Sequence, residues 1–109
     1  MTYSNKLKDF DELLNCVDYA IVNDVDKDSI LCIVDALLHY YAGFYDRGID
    51  PEESAKSVIY EFIECSNISS EQLSMQCDYD DVTLFDVIEQ FGSLSYSTLD
   101  GLRSYIEVI

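Results

Sequence analysis

Residues 28–47 read DSILCIVDALLHYYAGFYDR. Ile30, Leu31, Ile33, Val34, Leu37, Leu38, Tyr41 and Phe44 recur at helical spacing and cover more than one face. A helix apolar most of the way round must be surrounded, so this segment is expected at the centre of a bundle. Gly48 after Arg47 fits a glycine stop with a cation in the last turn. Asp35 and His39 break the apolar run, which therefore does not read as membrane-spanning.

The flanking segments repeat the helical period. Phe10, Leu13, Leu14, Val17, Ala20 and Ile21 make one stripe, with Asp11, Glu12 and Asp18 off it, and predict a helix ending near Val22. In IDPEES, Asp50 is placed as N-cap, Pro51 as the first helical residue, and Glu52 and Glu53 as first-turn acids. The stripe Ala55, Val58, Ile59, Phe62, Ile63 follows, and the helix should stop near Ser66-Asn67. Ser69 and Gln72 form a possible capping box on a short helix. The next helix is expected to be capped by Asp80 or Asp81 and stopped by Gly92. Its apolar set is Val82, Phe85, Ile88 and Phe91, with Leu84 and Val87 at the flanks. VTLFDVI also reads as a strand, but a single strand has no partner here. A last helix should start at Ser97, carrying Leu99, Leu102, Tyr105, Ile106 and Ile109. The expectation is all-α: one acidic domain over residues 1–109, a bundle of about five to six helices.

Charge narrows the function. Asp and Glu number 22 against 6 Lys and Arg, a net charge of −16. Hydrophobic residues at 49 % are enough for a core, so this is not a disordered acidic tail. Solubility needs only about 2–8 charges on a small domain, and a larger excess costs stability through self-repulsion. Direct nucleic-acid contact needs clustered Lys and Arg and is not expected. A basic protein partner is. The N-terminus MTYSNKLKDF has no signal-peptide core, which points to the cytoplasm, where Cys16, Cys32, Cys65 and Cys77 should be reduced.

The acidic residues fall into three groups. Asp11, Asp18, Asp24, Asp26 and Asp28 follow the first helix and its turn. Asp46, Asp50, Glu52, Glu53, Glu61 and Glu64 line the third helix and its approach. Asp78, Asp80, Asp81, Asp86 and Glu89 form the last group. Carboxylates three or four residues apart on a helix lie about 5–6 Å from each other. Phosphates on one DNA strand advance about 3.4 Å along the axis. A surface built this way offers negative charge at spacings that a DNA-binding groove tolerates.

Other constellations compete for these residues. Asp24, Asp26, Asp28 and Asp35 stand at the first, third, fifth and twelfth places of a calcium loop. The sixth place, which wants Gly, is Ser29, and the twelfth, which wants Glu, is Asp35. The plainer reading is an interhelix turn with Asp26 or Asp28 as N-cap. No cysteine pair has zinc spacing, so the cysteines read as small buried apolar residues. His39 has no nucleophile motif beside it, and catalysis is not expected. Tyr40, Tyr41 and Tyr45 suit either a core rim or a self-association surface. No metal or other cofactor is called for.

Three short matches occur in the order that they take in the Ocr antirestriction family of phage DNA mimics: MTYSN at 1–5, HYYA at 39–42 followed by Phe44, and GID at 48–50. The matches fall in the first half of the chain, which ends in SYIEVI where the family carries a long acidic tail. The chain resembles that family. The resemblance implies an all-helical DNA mimic, with a homodimer as one expected form, that occupies the DNA channel of a bacterial host's defence enzyme, a restriction or Cas enzyme. An anti-CRISPR protein blocking a Cas enzyme has the same charge logic. The alternatives are an immunity protein neutralising a basic nuclease toxin, and a calcium-binding helical module.

Overall fold

Helix α1 (Phe10–Val22) buries Leu13, Cys16, Val17 and Ala20 along one stripe. It ends in a Schellman motif. Asp24 adopts φ 71°, its N–H reaches Ile21 O, and Val25 N–H reaches Ala20 O, both at 3.1 Å. Val25 then drops into the core beside Ala20. An aspartate tolerates this left-handed conformation less well than glycine does. Asp24→Gly is therefore expected to raise unfolding free energy by up to about 1 kcal/mol, read as a shift in the urea midpoint at unchanged slope.

The computed structural model describes residues 10–45, 51–77 and 82–109, the side chains of 44–45 and 51–54 excepted. The remaining helices among these are α2 (Lys27–Tyr45), α3 (Pro51–Glu64), α4 (Ser70–Leu73), α5 (Leu84–Phe91) and α6 (Tyr96–Val108). The all-α expectation holds. Pro51 opens α3, where its missing N–H costs nothing. The expected stop at Arg47-Gly48 and the Asp50 cap lie outside the described residues.

Local polar chemistry sets the later boundaries. Ser69 and Gln72 close the capping box of α4 as expected, with Gln72 N–H on Ser69 Oγ at 3.1 Å and Ser69 N–H on Gln72 Oε1 at 3.0 Å. The start of α5 differs from expectation. Its cap is Thr83, whose N–H donates to Asp86 Oδ2 at 3.1 Å while Asp86 N–H donates to Thr83 Oγ1 at 3.2 Å. Thr83 is extended and bridges to Gln76 in antiparallel fashion. Cys77 N–H reaches Val82 O at 2.8 Å and Leu84 N–H reaches Met75 O at 2.9 Å. The strand-like reading of VTLFDVI is thus reduced to a single bridge at Thr83, where the capping box turns the chain into helix. Starting at Leu84 also shifts the buried face. Leu84 and Val87 are fully buried rather than flanking, and Phe85 is only half-buried. Ser95 caps α6, which begins at Tyr96, one residue before the expected start.

The helices close a ring: α2 packs on α3, α3 on α5, α5 on α1, α1 on α6, and α6 on α2. Helix α4 braces α5. Inside the ring Ile30, Ile33, Leu37, Ile59, Ile88, Phe91, Leu99, Leu102 and Ile106 are fully buried. Helix α2 is a ring member with a broad buried face, not a helix enclosed on all sides. Asp28, Cys32, Asp35, Ala36, His39 and Ala42 form an outward strip that is exposed or half-exposed. Positions 28, 32, 35, 39 and 42 recur at helical spacing, so two turns of apolar residues on the inner face leave one clear line outside. No described helix is long and apolar enough to cross a membrane.

Candidate functional site: an acidic belt and a trough along α2

Asp26 is the N-cap of α2. Its Oδ2 accepts from Ser29 Oγ at 2.7 Å and from Asn67 Nδ2 at 3.1 Å. Asn67 N–H also donates to Ser29 Oγ at 3.0 Å, which ties the start of α2 to the end of α3. The Ser29 hydroxyl, then the Asn67 amide, and lastly the backbone N–H groups of Ser29 and Asp28 hold the Asp26 carboxyl below its usual value of 3.8. A depressed folded pKa means that this group adds stability above pH 3.8, and that the contribution is lost as pH falls through the lower, folded value. Asp26→Ala should therefore lower the melting temperature at pH 7. The gap from the parent protein should close as pH drops below 3.8, which paired melts across an acid series would show.

This arrangement overturns the calcium loop. Helix begins at Lys27, so Asp28 and Asp35 already stand on α2 and cannot wrap an ion. Asp35 instead accepts from Arg103 Nε of α6 at 2.5 Å. That bond, with Glu107 at 3.6 Å, raises the guanidinium pKa above its usual value. Among the described residues no group of His, Cys, Asp and Glu is placed to hold a metal ion.

The cysteine and tyrosine expectations need correction. Cys16 and Cys77 are buried, but Cys32 and Cys65 are exposed, because one lies on the outward strip of α2 and the other just past α3. Tyr41 is 4 % exposed and its hydroxyl donates to Gly92 O at the end of α5. Tyr40 is half-buried and tilted against it. Tyr41 is thus removed from any self-association surface, and the Tyr45 side chain lies outside the described residues. Tyr41→Phe leaves a buried carbonyl without its donor and should cost about 1–2 kcal/mol in denaturant unfolding.

The expected acidic residues divide by role. Asp46, Asp50, Asp78, Asp80 and Asp81 lie outside the described residues, as do the side chains of Glu52 and Glu53. Asp26 caps α2, and Asp86 closes the capping box that Thr83 opens on α5. Glu89 accepts from Tyr60 OH at 2.5 Å, while the Tyr60 ring stacks on Phe85. Asp24 carries the αL turn. Asp11, Asp28, Glu61 and Glu64 are exposed, and Asp18 is half-exposed. Asp11 and Asp18 share the outer face of α1, about 10.5 Å apart along its axis. Glu61 and Glu64 are neighbours on α3 at about 5–6 Å. Because α5 lies between α1 and α3 in the ring, these groups form a belt round the bundle, not a single face.

Two of the described cations are engaged away from the belt, while Lys56 stands exposed on α3. Arg103 serves Asp35 and Glu107. Lys27 donates to Glu107 O and Ile109 O at 3.4 and 3.3 Å, at the C-terminal end of the α6 dipole. No ion pair within the described residues holds Asp11, Asp18, Glu61 or Glu64.

Beside the belt runs a trough that the sequence reading missed. A cavity of about 490 Å³ is lined by Ala36, His39, Tyr40, Val58, Glu61 and Phe62. Phe62 also lines a cavity of about 300 Å³ with Asp28, Cys32 and Cys65. His39 also lines one of about 290 Å³ against α6, with Asp35, Asp100 and Arg103. Phe62 was expected in the core stripe of α3. It is 39 % exposed, because Ala55 and Ile59 fill the ring and leave Phe62 at the outer edge. The width of that stripe was the available signal. No protein-family model, curated protein or solved structure matches the chain.

Proposed function

We propose that this protein is an inhibitor that takes the place of DNA. Its carboxylates occupy the Lys and Arg side chains with which a nucleic-acid enzyme of the restriction or Cas type holds phosphates. The observation that carries this reading is the belt itself: Arg103 and Lys27 bond to groups of α2 and α6, and no ion pair within the described residues holds Asp11, Asp18, Glu61 or Glu64. Holding so many like charges on a small bundle costs folding stability, and a cationic groove would offset that cost on binding. The resemblance to the Ocr antirestriction family supports the same reading.

The test is capture on immobilised protein from bacterial lysate at low salt, followed by elution with duplex DNA. Release of a restriction or Cas enzyme by DNA is the expected result. A captured enzyme that DNA leaves in place would count against mimicry, and a single nuclease toxin held as tightly at high salt would favour an immunity protein instead.

A further inference from the structure

The acidic belt alone would suit any polycation, but the trough along α2 is selective. Its floor is apolar, from Ala36, Val58 and the exposed ring of Phe62. Its rim beside Phe62 is anionic, with Asp28 at one end and Glu61 on the α3 wall, while on the α6 side Asp100 stands in a neighbouring cavity with Arg103, which Asp35 holds. From Asp28 to Ala42 the strip runs about 21 Å, the length of roughly four helical turns. We propose that this trough seats a cationic amphipathic helix of the partner protein. Apolar side chains one turn apart enter the cavity beside Phe62, and flanking Lys or Arg residues reach Glu61 and Asp28. This inference rests on the reading that the partner is basic, and adds which part of the partner docks and where.

The rim excludes an acidic or nucleic-acid ligand at this place. The floor discriminates against a polycation without apolar side chains, which would leave Phe62 and Val58 wet. Substitutions at Phe62 and Glu61 are suitable probes because both side chains stand outside the core.

The experiment uses the full chain and two synthetic probes of equal charge, a helical peptide of repeating Lys-Leu-Ala-Lys units and polylysine. Amide shifts and affinities are measured by NMR titration for the parent, Phe62→Ser and Glu61→Lys. The trough predicts perturbations centred on Ala36, Val58 and Phe62 with the amphipathic peptide. It also predicts about tenfold weaker binding of that peptide by Phe62→Ser, with polylysine unaffected. Glu61→Lys weakens both probes. Equal binding of the two probes, with shifts spread over α1 and α3, would overturn the trough and leave the acidic belt standing. Binding of neither would overturn the trough and the basic-partner reading together.

Discussion

Reversing Asp11, Asp18, Glu61 and Glu64 together to lysine is expected to weaken binding to a DNA-holding enzyme by about a hundredfold. Exposed ion pairs each contribute about 0.2–1 kcal/mol, and a reversal replaces attraction by repulsion of similar size. Four such changes total about 1.6–8 kcal/mol, a range that brackets the roughly 2.7 kcal/mol of a hundredfold change in Kd. Any one reversal should change Kd by only a few fold, because the belt shares the work among many groups. The combined variant should also fold at least as well as the parent, since it relieves self-repulsion. Equal melting temperature with lost binding separates this from a folding defect. Titration calorimetry against the captured enzyme, beside a thermal melt, checks both parts.

Phe91→Ala should give the largest loss of stability. Phe91 is among the largest fully buried side chains and ends α5, a helix that packs on both α1 and α3. Truncation removes its apolar transfer energy and leaves a cavity, at about 3–5 kcal/mol. A domain of this size has about 5–15 kcal/mol in all, and this one already carries strong self-repulsion. A melting temperature lower by about 20 °C is expected, with the far-ultraviolet helical signal intact at low temperature. The loss should be partly recovered in about 1 M salt, where the Debye length of about 3 Å is shorter than the spacing of neighbouring carboxylates. Circular-dichroism melts at two salt concentrations test this.

Much of the fold was legible because helical spacing and caps are local. Phe10–Val22 emerged from its stripe, and the capping box at Ser69 and Gln72 from four residues. The failures were of another kind. Asp80 and Asp81 looked like caps for α5, but Thr83 had the geometry, since it is held extended in a bridge to Gln76. Asp24, Asp26, Asp28 and Asp35 matched a metal loop by count alone. A helix starting at Lys27 separates them, and that start depends on Ser29 and on Asn67, 41 residues from Asp26. Phe62 and Cys32 read as core because apolarity does not reveal which apolar face finds a neighbour. The ring order decides that, through contacts distant in sequence. The acidic character was plain from composition. Its distribution as a belt, with Arg103 and Lys27 withdrawn from it, required the structure.

The most direct test of the account mixes the captured enzyme with labelled duplex DNA and this protein, and weighs the resulting complexes in solution as each is titrated. Mimicry predicts enzyme–DNA and enzyme–protein complexes that replace one another, with both dissociation constants rising steeply with salt. A stable complex containing all three components would contradict it.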